Sequence, residues 1–131
     1  MTMCSSTFGG TIALRTALAL ASILPSATAV YAVAGNDRWA TVRANATLVR
    51  GKGVTSVTGF VAGIYEVEFD KKVVDCLYIA TLGTGSPGTA QLGQIGAAPA
   101  GHSNQNTVVI RTRNSAGVGA DLPFHLFVGC K

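Results

Sequence analysis

The chain has 131 residues, of which 48% are hydrophobic and only 12% charged. That much apolar surface excludes a disordered chain, and the length fits a single domain. The net charge of +4 comes from scattered Lys and Arg, with Lys71-Lys72 the one adjacent pair. Nucleic-acid binders gather basic charge into a stripe or patch, so no nucleic-acid partner is expected.

Residues 1–34 read as a signal peptide. No acid precedes Asp37, Arg15 supplies a positive start, and residues 16–24 form an apolar run of signal length, ended by Pro25. Two A-x-A sites follow, giving cleavage after Ala29 or Ala34. The uncharged stretch 16–36 approaches spanning length, but its Ala, Ser and Thr content and its proline make a poor permanent span. Cys4 precedes the apolar run and cannot be a lipoprotein cysteine. The mature chain, residues 35–131, is therefore expected outside the cell or in its envelope, without a stable membrane span.

Of the 3 cysteines, Cys76 and Cys130 remain after processing. An even count in a small exported domain reads as a disulfide; two buried free thiols are the alternative. Zinc is excluded, because too few Cys or His partners lie near.

From Trp39 onward the hydrophobic pattern has period two, which predicts strands. The first two are 39–42 and 47–50, with a tight turn at Ala44-Asn45, and the third is 54–58. The clearest is 64–69, where Tyr65, Val67 and Phe69 face a core while Glu66 and Glu68 face water. After the charged turn Asp70-Lys71-Lys72, residues 76–82 form a nearly continuous apolar strand, expected to be covered on both faces. Residues 83–106 read as long loops around one weak strand at 91–95. A strand at 107–112 turns Val108 and Ile110 inward, and a Gly-rich connection at 115–121 leads to the last strand, 124–130. There Phe124, Leu126, Val128 and Cys130 share the inner face, and His125 faces outward. Seven or eight short strands without a helical segment predict an all-β fold, an antiparallel β-sandwich or jelly roll. Trp39 is read as an anchor of the core alongside Tyr65, Val67, Phe69, Phe124 and Leu126, in preference to an exposed sugar-stacking platform.

Catalytic chemistry has no motif here. His102 and His125 lack a carboxylate or cysteine at ligand spacing, and no G-x-S-x-G elbow is present. Asp121 precedes His125 by four residues across Pro123, more than about 10 Å in an extended chain. Glu66 and Glu68 are about 7 Å apart on one strand face. Glycosidase carboxylates stand at similar separation but flank a deep cleft, so a solvated face is the preferred reading. Calcium-loop spacing is absent, and no cofactor or metal is expected. Asn45-Ala46-Thr47 matches a glycosylation sequon, a short pattern common by chance.

Trp39-Ala40-Thr41-Val42, the run Gly63 to Phe69 (GIYEVEF), Cys76, and Pro123 to Val128 (PFHLFV) followed by Cys130 occur in that order. The set resembles a family of small exported bacterial proteins of unknown function that share W-A-x-V, G-x-Y-x-V-x-F, a mid-chain Cys and P-F-H-L-x-V-x-C. More distantly it is similar to the β-sandwich heads of phage tail fibres and collagen-like stalks. Those heads bind surfaces as trimers, so the resemblance implies a homotrimer, here without a stalk. The expected function is a secreted, non-catalytic interaction module that binds a protein or glycan surface through loops at one end of the sandwich. Gln91, Gln94, His102, Ser103, Asn104, Gln105 and Asn106 are the candidate contacts, since loops on a rigid scaffold commonly carry recognition. A small secreted hydrolase and a self-assembling envelope component are the alternatives.

Overall fold

A computed structural model of the chain describes residues 35–88 and 90–131. The predicted signal peptide and its cleavage sites lie outside the described residues. Eight strands follow: β1 (Arg38–Val42), β2 (Leu48–Lys52), β3 (Val54–Gly59), β4 (Ile64–Phe69), β5 (Leu77–Leu82), β6 (Gln94–Pro99), β7 (Thr107–Arg113) and β8 (Phe124–Gly129). Every strand but β6 lies within about two residues of its predicted bounds, the usual uncertainty of an element's end. Two four-stranded antiparallel sheets, β2-β1-β8-β5 and β3-β4-β7-β6, make an all-β sandwich.

The core lies between the central pairs, β1-β8 of the first sheet and β4-β7 of the second. Ala40, Val42, Phe124, Leu126 and Val128 from one sheet meet Tyr65, Val67, Phe69, Val108 and Ile110 from the other, with Val73 closing one end. The rings of Tyr65 and Phe124 join the layers at 5.1 Å between centroids, tilted by 58°, a favourable aromatic geometry. Only Gly53 separates β2 from β3, and it carries the chain from the first sheet into the second at φ 73°. A side chain there would run into the aliphatic stem of Arg38, so this corner needs glycine twice over.

A disulfide joins Cys76, just before β5, to Cys130, just after β8, with Cα atoms 4.6 Å apart. It staples the inner strand β8 to its edge neighbour β5, since Leu77 pairs with Gly129.

Three expectations are corrected. Trp39 is not a core anchor: Arg38, Ala40 and Val42 take the inner face of β1, and strand alternation turns Trp39 outward, partly exposed. The apolar strand β5 is not covered on both sides. It is an edge strand, with Leu77 63% and Ile79 53% exposed on its outer face. The weak strand of the 83–106 segment runs Gln94–Pro99 instead of 91–95, with Pro99 at its end, where a missing donor does least harm.

Burial raises the phenol pKa of Tyr65 above its ordinary value, and the negative charge of Asp121 adds to the effect. Tyr78 shifts the same way, from burial first and Asp75 second. Both hydroxyls donate to backbone carbonyls, Tyr65 to Ala44 at 2.8 Å and Tyr78 to Val73 at 2.6 Å. The folded state thus favours the protonated phenols. This stabilisation is complete below the unfolded tyrosine pKa of about 10 and is lost as pH rises through the higher folded values. Calorimetric midpoints are expected to fall above about pH 10, and less steeply in Y65F and Y78F than in the parent.

Candidate functional site

The outer face of the first sheet carries two rows of side chains fixed by strand register. One row is Lys52, Trp39, Phe127 and Ile79; the other is Arg50, Thr41, His125 and Thr81. Alternate residues on a strand share a face about 7 Å apart, so the rows lie side by side. All of them but Lys52 line an open depression of about 320 Å³. Phe127 is 42% exposed.

The chain leaving β5 shapes one wall. A Cβ on Gly83 would come within 2.8 Å of His125 Nε2, and one on Gly85 within 3.2 Å of Thr41 Cγ2 and 3.1 Å of Val49 Cγ1. Residues 83–85 therefore cross the sheet face against His125 and Thr41, a close approach that the glycines ease. The Gly83 amide donates to the Pro123 carbonyl at 3.0 Å and holds the crossing down. His125 is oriented on its other side by Thr41, with Nδ1 and Oγ1 3.1 Å apart.

The resulting surface has an apolar floor of indole, phenyl and isoleucine beside the Thr81 hydroxyl, the His125 imidazole and the Arg50 guanidinium, with Thr41 buried beneath them at 3% exposure. Such a mixture suits a ligand with both C–H faces and hydroxyl groups. Among the described residues, no group of three His, Cys, Asp or Glu is placed to hold a metal ion.

The loop residues expected to bind do not form one surface. β6 pairs with β7 from Gln94–Arg113 to Pro99–Val108, so Gln91 and Gln94 lie at one end of a strand about 17 Å long. His102, Ser103, Asn104, Gln105 and Asn106 lie at the other. Several of these polar groups are already engaged. His102 Nδ1 accepts from the Asn104 amide at 3.1 Å, and Asn104 Oδ1 accepts from the Asn106 amide at 3.0 Å. The Gln105 carbonyl accepts from Val73 N at 2.9 Å.

Folding gives His102 the carboxylate that sequence spacing did not show: its Nε2 is 3.3 Å from Glu66 Oε1. With Nδ1 accepting, the neutral ring donates through Nε2 to Glu66, which ties the 100–106 connection to β4. Glu68 accepts from Ser56 Oγ at 3.3 Å. Asp121 accepts from the Gly63 amide at 2.8 Å and serves as a turn cap.

Sequence reasoning missed Trp39, Arg50, Thr81 and Phe127 as neighbours in one site. The phase of β1 was the available signal, because placing Ala40 and Val42 inward puts Trp39 and Thr41 together outside. Against known proteins, the chain matches no protein family, no curated protein and no solved structure.

Proposed function

We propose that this protein is an exported, non-catalytic binding module that holds a glycan on the outer face of the sheet β2-β1-β8-β5. The observation that carries this reading is the pairing of Trp39 and Phe127 in register at the floor of an open depression. Aromatic faces stack on the C–H faces of sugar rings, while Thr81, His125 and Arg50 meet hydroxyl groups, His125 being held in place by the buried Thr41. Export is supported by the leader-like residues 1–34 and by the disulfide, which is compatible with an oxidising compartment.

W39A is expected to weaken retention on a printed polysaccharide array by about tenfold or more, or about 1.4 kcal/mol. Because Trp39 stands outside the core, the variant should lose no more than about 1 kcal/mol of stability. Array binding that survives W39A unchanged would remove the sheet face from the account.

A second reading is favoured by the exposure of Leu77 and Ile79 beside Phe127. Contiguous exposed apolar side chains are a common mark of an interface, and a homotrimer packed over this face would cover them. Sedimentation velocity separates the two: a trimer that I79K dissociates supports assembly, and a monomer throughout leaves the face to the glycan.

A further inference from the structure

At the end of the sandwich where β1 begins and β8 ends, a concavity of about 160 Å³ is lined by Asn36, Arg38, Lys71, Lys72 and Lys131, beside Val73 and the disulfide. Four of these residues carry cationic side chains, and no acidic side chain is in the lining. The Arg38 side chain is only 8% exposed. Its Nε donates to Asp70 Oδ1 at 2.7 Å and its Nη1 to the Asp37 carbonyl at 3.0 Å. Nη2 makes no hydrogen bond among the described residues, and no buried side-chain nitrogen there lacks a partner, so Nη2 keeps access to solvent on a residue that lines the cup.

Lys72 is paired with Asp75 at 3.3 Å, whereas Lys71 and Lys131 have no ion-pair partner among the described residues. Two carboxylates outside the cup, Asp70 and Asp75, face four cationic side chains, and the α-carboxylate of Lys131 offsets one more, which leaves a net positive charge at a concave site. Convergent like charge in a concavity focuses a positive potential. A guanidinium locked by two bonds presents its remaining N–H groups without further loss of freedom.

We propose that this cup binds an oxyanion, a phosphate or sulfate group carried by a larger ligand. Arg38 supplies the fixed donor, Lys71, Lys72 and Lys131 supply mobile charge, and the Asn36 amide offers a neutral donor. The cup shares no residue with the depression on the sheet face, so the two sites stand or fall separately.

The test is an amide chemical-shift titration with inorganic phosphate and with sulfate. Saturable shifts are expected at Asn36 and at Lys71, Lys72 and Val73. The double variant K71Q/K131Q, changed at two exposed positions, is expected to weaken binding by at least about tenfold, while K52Q outside the cup changes it less than about twofold. Arg38 is left intact because its loss would strand Asp70. Shifts that never saturate, or that are the same in K71Q/K131Q, would overturn the site. A glycerol phosphate oligomer and phosphatidylglycerol vesicles then locate the source. Binding lost in the variant for the oligomer assigns a soluble polymer, and for the vesicles a lipid headgroup. A failure of both to bind would mark the phosphate signal as an adventitious ion only and overturn the proposal.

Discussion

Replacing Cys76 and Cys130 with serine is expected to lower the unfolding free energy by about 4 kcal/mol. The bridge closes a loop with a sequence separation of 54, and in the chain-entropy model removing such a constraint costs about that much. A domain of this size has a total stability of only about 5–10 kcal/mol, so the loss is a large share of the whole. The structure also predicts where the chain will open first. β5 is an edge strand hydrogen-bonded to β8 alone, and three of its six residues are exposed. Guanidinium unfolding of the parent, of the reduced parent and of C76S/C130S checks the magnitude, and the last two should coincide. Hydrogen exchange should show the β5 amides losing protection before those of β4 and β7. A loss below about 1 kcal/mol would mean that the β5-β8 ladder holds its register unaided.

The second large effect is expected from Gly63→Ala, which should cost more than about 3 kcal/mol. Gly63 has φ 78°, in the left-handed region where an alanine costs about 1 kcal/mol by itself. Here the new Cβ would also run into the Thr112 carbonyl and stand 2.9 Å from the Ala120 nitrogen. Both are backbone atoms with no rotamer to move away. The same glycine donates to Asp121 Oδ1 and accepts from the Thr112 amide, each at 2.8 Å. Displacing it therefore disturbs the β3-β4 turn, the end of β7 and the chain leading to β8 together. Gly117→Ala is the control. Its φ is 79°, yet a Cβ there meets nothing within 4 Å, so only the backbone strain of about 1 kcal/mol is expected. Equal costs for the two variants in chemical denaturation would show that the close approach at Gly63 is not what makes it costly.

These effects also show why parts of the fold were readable from the sequence and others were not. β4 and β8 alternate cleanly because each has one face in the core and one in solvent, so Tyr65, Val67, Phe69, Phe124 and Leu126 could be placed inward by period alone. β5 defeats the same logic. Leu77 and Ile79 are as apolar as the inward side chains they alternate with, and a run of this kind looks doubly covered although its outer face is open. For Trp39, size argues for the core while phase argues against it, and its short strand leaves little pattern to decide between them. β6 has small residues, Gly96, Ala97 and Ala98, whose burial contrast is weak, and its bounds shifted by several residues. The contact between Glu66 and His102 joins positions far apart in the chain, which spacing cannot reveal. The candidate site has the same origin: its two rows combine residues from β1, β2, β5 and β8, and strand order is what no alternation supplies.

Trp39 is the only tryptophan in the chain, so its emission reports on the proposed site without competing signals. The most direct test is a fluorescence titration with hexasaccharides of glucose, N-acetylglucosamine and mannose, and with whichever oligosaccharide the array retains best. A saturable change in Trp39 emission, unaltered in H102A and weakened by T41A, is the predicted result. An oligosaccharide that the protein demonstrably retains but that leaves Trp39 emission unchanged would contradict the account, because the sugar would then sit away from the outer face of the first sheet.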